Sequence, residues 1–294
     1  MASLRGVLPN PPIQNIHWFR RAKNFVALGV ITVAALIVTV PLFLILGTVI
    51  YRGIGGLNLD FFTQLPKPVG EVGGGMANAI VGSLMILGVA SAIGIPLGIG
   101  AGIYLAEYGR NRSGNIVRFT ADVLSGVPSI VIGITAYALV VATQGHFSAF
   151  AGSIALGIMM IPTISRTTEE VLLLVPQTIR EAALGLGIPQ WRTTLSVVLP
   201  SAKAGVITGV LLAFARIAGE TAPLLFTALG NSFWNFKMSQ PTAALPLQIF
   251  VYATSPFDDW HRQAWAGALV LISIIVITTV AFRFATSRGV KEAS

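Results

Sequence analysis

Apolar residues along this chain neither alternate nor recur at every third or fourth position; they gather into long runs separated by short polar stretches. The runs lie at about 25–51, 76–104, 121–143, 147–165, 204–229 and 265–285, each close to the roughly 20 residues that carry a helix across about 30 Å of hydrocarbon. A helix packed on a soluble core shows an apolar stripe, whereas a run that is apolar on all sides belongs in lipid or deep inside protein. The pattern therefore predicts an all-α polytopic membrane protein with six transmembrane helices. An even number of spans puts both termini on one side. The first run is too long for a signal-peptide core, no small-residue cleavage pattern follows it, and it reads as a retained helix.

Composition agrees with that picture. Apolar residues make up 54% and charged residues 10%, against about 25% charged in soluble domains, and the mean hydropathy is +0.79. A net charge of +8 in a soluble protein would suggest nucleic acid; here the basic residues lie between the runs, which excludes a nucleic-acid partner and makes them orientation signals. With the termini in the cytoplasm, Arg52, Lys67, Lys237 and Arg262 fall outside and Arg216 lies in a span, leaving fourteen of the 19 Lys and Arg inside. The positive-inside rule selects this orientation, as expected of a multi-pass plasma (inner) membrane protein. The chain then divides into a cytoplasmic tail at 1–24, a six-helix domain at 25–285 with a cytoplasmic loop at about 166–203, and a cytoplasmic tail at 286–294. Longer outside loops fall at about 52–75 and 230–264. Trp18, Phe19, Arg20 and Arg21 form an aromatic and basic cluster suited to lipid headgroups.

Several chemistries drop out. There is no Cys, so disulfides and thiolate metal sites are excluded, and His17, His146 and His261 lack ligand spacing; no metal site is expected. None of the lysines stands between Gly and Ser or Thr, so there is no phosphate-cradling P-loop and no ATPase site of the chain's own. Gly98, Gly100 and Gly102 follow no strand and are not a dinucleotide fingerprint; no cofactor is expected on this chain. Gly94, Gly98 and Gly102 recur at four-residue intervals instead, a small-residue face that lets another helix approach closely. In the third run, Ser125-Gly-Val-Pro-Ser129 interrupts helical hydrogen bonding, as either a kink or the lining of a pathway.

The loop at 166–203 is neither lipid-like nor low in complexity. Glu181, Ala182 and Ala183 are followed after three residues by Gly187, and after nine more by Val197, Val198, Leu199 and Pro200; the apolar spacing predicts two short helices hinged around Gly187 and Pro189. This spacing resembles the coupling loop of ABC importer permeases. The resemblance implies a MetI-like fold and a loop that inserts into a groove on a separate ATP-binding subunit, with Glu181, Ala182, Ala183 and Gly187 inheriting the coupling role. An amphipathic surface helix is the plainer reading.

Arg216 and Glu220 stand four residues apart in the fifth run, which on a continuous helix puts both on one face. Each charge at the centre of a span costs about 2.5–3.5 kcal/mol on insertion scales, so they are expected to face protein or water. The pair either neutralises itself as a structural lock or offers a guanidinium fork to a passing oxyanion. The surrounding residues Arg216-Ile-Ala-Gly-Glu-Thr-Ala-Pro-Leu-Leu-Phe-Thr227, with Gly126-Val-Pro-Ser-Ile, Ser165-Arg-Thr-Thr-Glu-Glu to Val175-Pro176 and Leu245-Pro-Leu-Gln-Ile-Phe, resemble the A-type permease family of bacterial phosphate-specific ABC importers over about 25–285. That resemblance implies phosphate import with Arg216, Glu220 and Arg166 on the substrate pathway. It also implies as partners a related C-type permease, a dimer of ATP-binding subunits using ATP and Mg, and an extracytoplasmic phosphate-binding protein. A secondary anion carrier, a permease for another oxyanion and an inert scaffold are the alternatives.

Overall fold

The computed structural model describes the backbone of residues 14–291 and the side chains of residues 18–284. Of the tails expected at 1–24 and 286–294, residues 1–13 and 292–294 lie outside the described residues. Helices account for nearly all regular structure, and among the described residues the only β-pairing is an isolated bridge between Leu229 and Thr242. The chain divides into two units at Tyr51–Arg52. The described part of the first unit is the helix α1 (Gln14–Ile54), whose last residues belong to the second unit. It extends beyond the run at 25–51 because Gln14 to Asn24 remain helical. Phe25, Ile37 and Phe43 are exposed along it, as suits apolar side chains that meet acyl chains.

The second unit is built around α3 (Ala77–Glu107) and α7 (Ala149–Leu173). The small-residue face of α3 makes this pairing: a Cβ on Gly98 would sit 2.7 Å from Cβ of Ile164, and one on Gly102 would sit 2.7 Å from the Ser165 carbonyl oxygen. Close backbone approach replaces the hydrophobic driving force that lipid removes. Ile86, Leu156, Met160, Ile164, Ile217 and Leu224 fill the core between these helices and α11 (Lys203–Ala218). Before α3 comes the short α2 (Leu59–Thr63).

Length and composition give four helices able to cross a membrane, or up to six if each of two bent pairs counts as one span. One bent pair is α4 (Arg112–Gly126) and α5 (Ser129–Ala136). A π turn at Tyr137–Val141 and α6 (Ala142–Gln144) continue α5, and the pair turns by 106°. The expected interruption at Ser125–Ser129 is therefore a break, with Pro128 unable to continue the ladder of α4. The run at 121–143 consequently covers the end of one helix and the start of another. The fourth span does not stop at Ser165 as the hydropathy suggests: α7 runs through Arg166 and Glu169 to Leu173.

The loop at 166–203 becomes α8 (Gln177–Gly185), α9 (Gln190–Thr193), a π turn at Thr194–Val198 and α10 (Leu199–Ser201). The stretch Gln190–Ser201 meets α11 at 75°. The fifth span is shorter than the run at 204–229, because α11 ends at Ala218 and only α12 (Ala222–Leu225) follows. Pro223 has no N–H to return to the Gly219 carbonyl and its ring would clash there. The segment at 230–264, expected as an outside loop, is not a bare loop. It contains α13 (Leu245–Ala253), with Leu245, Pro246 and Leu247 buried, and the Leu245 N–H donates to Ser83 Oγ on α3 at 2.7 Å. The last helix, α14 (Asp258–Lys291), starts earlier than the run at 265, with Asp258 and Asp259 in a first turn that favours negative charge.

Candidate functional site

The predicted hinge in the 166–203 segment is a helix C-terminal turn. Gly187 follows α8 with φ +79°, its N–H donates to the Leu184 carbonyl and that of Ile188 to the Ala183 carbonyl. This is a Schellman arrangement, which places the residue after the helix in the left-handed region that glycine adopts at least cost. No atom lies within 4 Å of where a Gly187 Cβ would be, so conformation and not crowding selects glycine. Ala183 is buried, while Glu181, Ala182, Leu184 and Gly187 are exposed. Leu186 is 81% exposed and Trp191 on α9 61%. The element thus offers an acidic and apolar surface that the chain itself leaves uncovered.

Beneath it, the C-terminal ends of α3 and α7 are held by charges. Arg118 on α4 donates through Nε to Glu169 on α7 at 2.6 Å and through both terminal nitrogens to the Leu105 and Gly109 carbonyls. Arg166 donates to the same carboxylate at 3.2 Å and forms an ion pair with Asp122 at 2.9 Å. Glu169 is 4% exposed, and two guanidinium groups facing it offset the cost of burying a carboxylate. Arg180 on α8 pairs with Glu107 at the end of α3 at 2.8 Å. Arg118 and Arg180 also donate to carbonyls at the ends of α3 and α7.

The structure therefore places Arg166 inside a helix and in an ion-pair network, not at a flanking position. Asp122, 44 residues away in sequence, is a partner that the local pattern does not reveal. Arg118, Glu107 and Arg180 carry no motif either; the available signal was that charges beside apolar runs need partners.

Arg216 and Glu220 are not on a common helical face. Arg216 lies in the last turn of α11, Gly219 caps the helix, and Glu220 lies beyond its end, so the four-residue spacing loses its meaning. Among the described residues no ion pair joins them, and Arg216 makes no hydrogen bond or ion pair. Arg216 is exposed in the single chain and Glu220 half-buried. A self-neutralising lock is not what the geometry contains. A guanidinium at a broken helix with its donors free can accept an anion from outside the chain.

At the opposite end of α3, the segments at 52–75 and 230–264 meet. The Gly73 N–H donates to Asp259 Oδ2 at 3.2 Å, and Gln263 Nε2 to the Gly73 carbonyl at 2.8 Å. A cavity of about 570 Å³ opens beside them, lined by Lys67, Asn231, Phe233, Gln248 and Trp260 among others.

Spans that pair through small residues, broken helices at the ends of two of them and a protruding loop helix define a membrane permease of the binding-protein-dependent type. Residues 94–288 match the model of the binding-protein-dependent transport system inner membrane component, and the chain belongs to that family. It is 47% identical over 266 residues to a phosphate transport system permease protein PstA of Haemophilus influenzae, covering 90% of this chain and 94% of the relative. It is 46% identical to the PstA protein of Yersinia pestis, covering 90% of each, and 40% identical to that of Mycobacterium leprae, covering 92% of this chain and 91% of the relative. The fold resembles inward-facing conformations of the MetNI methionine ABC transporter, with TM-score 0.58 at 18% identity over 74% of this chain and 96% of the other. The expected MetI-like fold is thereby borne out.

Proposed function

We propose that this chain is the permease subunit of an ATP-driven importer of inorganic phosphate and forms half of its translocation pathway. The observation that carries the reading is the coupling element, where a helix with exposed Glu181, Ala182 and Leu184 and its glycine turn project from the spans with a surface made for another protein. The names of the relatives supply phosphate as the solute, and the unpaired Arg216 supplies chemistry suited to it. A planar guanidinium binds an oxyanion through two parallel donors.

In this reading a dimer of ATP-binding subunits, using ATP and Mg, grips the element around Glu181, Ala182, Ala183 and Gly187. A related C-type permease completes the pathway, and an extracytoplasmic phosphate-binding protein delivers solute to the end bearing Gly73 and Asp259. Both termini lie in the cytoplasm, and the chain performs no chemistry on ATP or solute. Closure of the nucleotide-bound subunits pushes the element and tilts the spans, so that phosphate passes Arg216. Glu220, just past the end of α11, adds a carboxylate that repels a wrongly charged solute.

The test is purification of the chain from membranes, identification of its companions and phosphate uptake by proteoliposomes containing the complex. A P-loop ATPase among the companions and uptake that requires ATP are expected. Uptake by the chain alone down a gradient would instead make it a secondary carrier, and undiminished cellular uptake in an Arg216→Gln, Glu220→Gln variant would make it a scaffold.

A further inference from the structure

The two arms of the coupling element are fastened to the spans in different ways. Val198 and Ala202, on the α9–α10 side, join an apolar cluster with Ala106, Leu172, Val175 and Val206. The other arm, α8, contributes no residue to that cluster and buries only Ala183. A cavity of about 360 Å³ lies against it, lined by Ala106, Glu107, Val175, Arg180, Leu184 and Gln190 among others. Apolar packing on this side is therefore thin.

Arg180 crosses that gap. Its Nε and one terminal nitrogen donate to Glu107 Oε1 at 3.1 and 2.8 Å. Its terminal nitrogens also donate to the Val175 carbonyl at 2.6 Å and the Leu172 carbonyl at 2.8 Å, at the end of α7. The two side chains are 11% and 6% exposed. One guanidinium thus joins α8, the last residue of α3 and the Leu172 and Val175 carbonyls at the C-terminal end of α7, and Gln190 of the other arm reaches the Glu107 carbonyl at 3.4 Å. A buried, multiply bonded ion pair holds one geometry far more rigidly than an exposed one.

Resting on the importer reading above, we propose that Arg180 and Glu107 are positioning residues for coupling: the ion pair is the link through which a push on α8 reaches α3 and α7. Arg180 touches neither the solute nor the exposed surface of α8. Its loss leaves the docking face and the ATPase intact while the spans no longer follow.

The experiment uses the whole reconstituted importer and reads phosphate moved per ATP hydrolysed, with hydrogen exchange on the same complex. In Arg180→Gln and Glu107→Gln, ATPase binding and hydrolysis are expected to stay within about twofold of wild type, phosphate per ATP to fall roughly tenfold, and α8 amides to exchange about tenfold faster while those of α3 are unchanged. The double variant is expected to be no worse than either single one. Arg180→Lys, which keeps a cation facing Glu107, is expected to recover most of the coupling and guards against misreading a folding defect. An unchanged ratio of transport to hydrolysis, whether both activities persist or fall together, would overturn the link. A wild-type complex that hydrolyses ATP but moves no phosphate would overturn the importer reading and the link with it, a pattern distinct from loss of the link alone.

Discussion

The two ends of this permease's charged machinery obey opposite rules. At the coupling end, Arg118, Arg166 and Arg180 meet Glu107, Asp122 and Glu169 within the chain. At the α11–α12 break, Arg216 and Glu220 have no ion-pair partner among the described residues. A charge that holds a fold together needs its counter-charge in the same polypeptide, because leaving it buried alone costs several kcal/mol. A charge that handles a passing solute has to keep its donors open. On the proposed function, the contrast separates structural arginines from a transport arginine more sharply than their sequence surroundings do.

The comparison is sharpened first at Arg216. Arg216→Gln is expected to lower ATP-driven phosphate uptake roughly 100-fold, the scale for removing a charged donor that stabilises an oxyanion. Thermal stability of the complex should stay near wild type, because no bond within the chain is lost. Uptake and melting temperature measured on one preparation check both halves. Glu169→Gln should do the reverse and destabilise the chain by about 3 kcal/mol, since Arg118 and Arg166 lose the carboxylate they share; detergent melting curves would reveal it. A smaller loss, about 1–3 kcal/mol, is expected for Gly98→Val, whose added carbons would push α3 off Ile164. Gly187→Val should cost about 1–2 kcal/mol through its left-handed backbone, read as weaker capture of the ATPase with the spans still folded. Asp258→Asn is expected to leave the melting temperature of the complex unchanged, because Asp258 is fully exposed and lies 3.9 Å from His261.

Much of this architecture was legible in the residues. The hydropathic runs located four continuous spans, the spacing of Gly94, Gly98 and Gly102 marked the face of α3 that another helix approaches, and the hinge in the 166–203 segment fell at Gly187. The end of α11 was not legible, because Ala218 to Phe226 remains mostly apolar and hydropathy passes over a break made by Gly219 and Pro223. For the same reason the helical register that appeared to unite Arg216 and Glu220 failed. The ion pairs were hidden for another reason. Arg118 and Glu169 are 51 residues apart and Arg180 and Glu107 73 apart, and no local period links positions brought together only by the ends of packed helices.

The central claim is that Arg216 faces an aqueous path and not acyl chains. Because the chain contains no Cys, Arg216→Cys introduces a single thiol into it, and the assembled importer, with any partner thiols replaced, can be treated with a membrane-impermeant charged thiol reagent. The expected result is modification from the aqueous phase that slows when phosphate is bound. A thiol that resists the charged reagent and reacts only with a lipid-soluble one, with or without phosphate, would contradict the account.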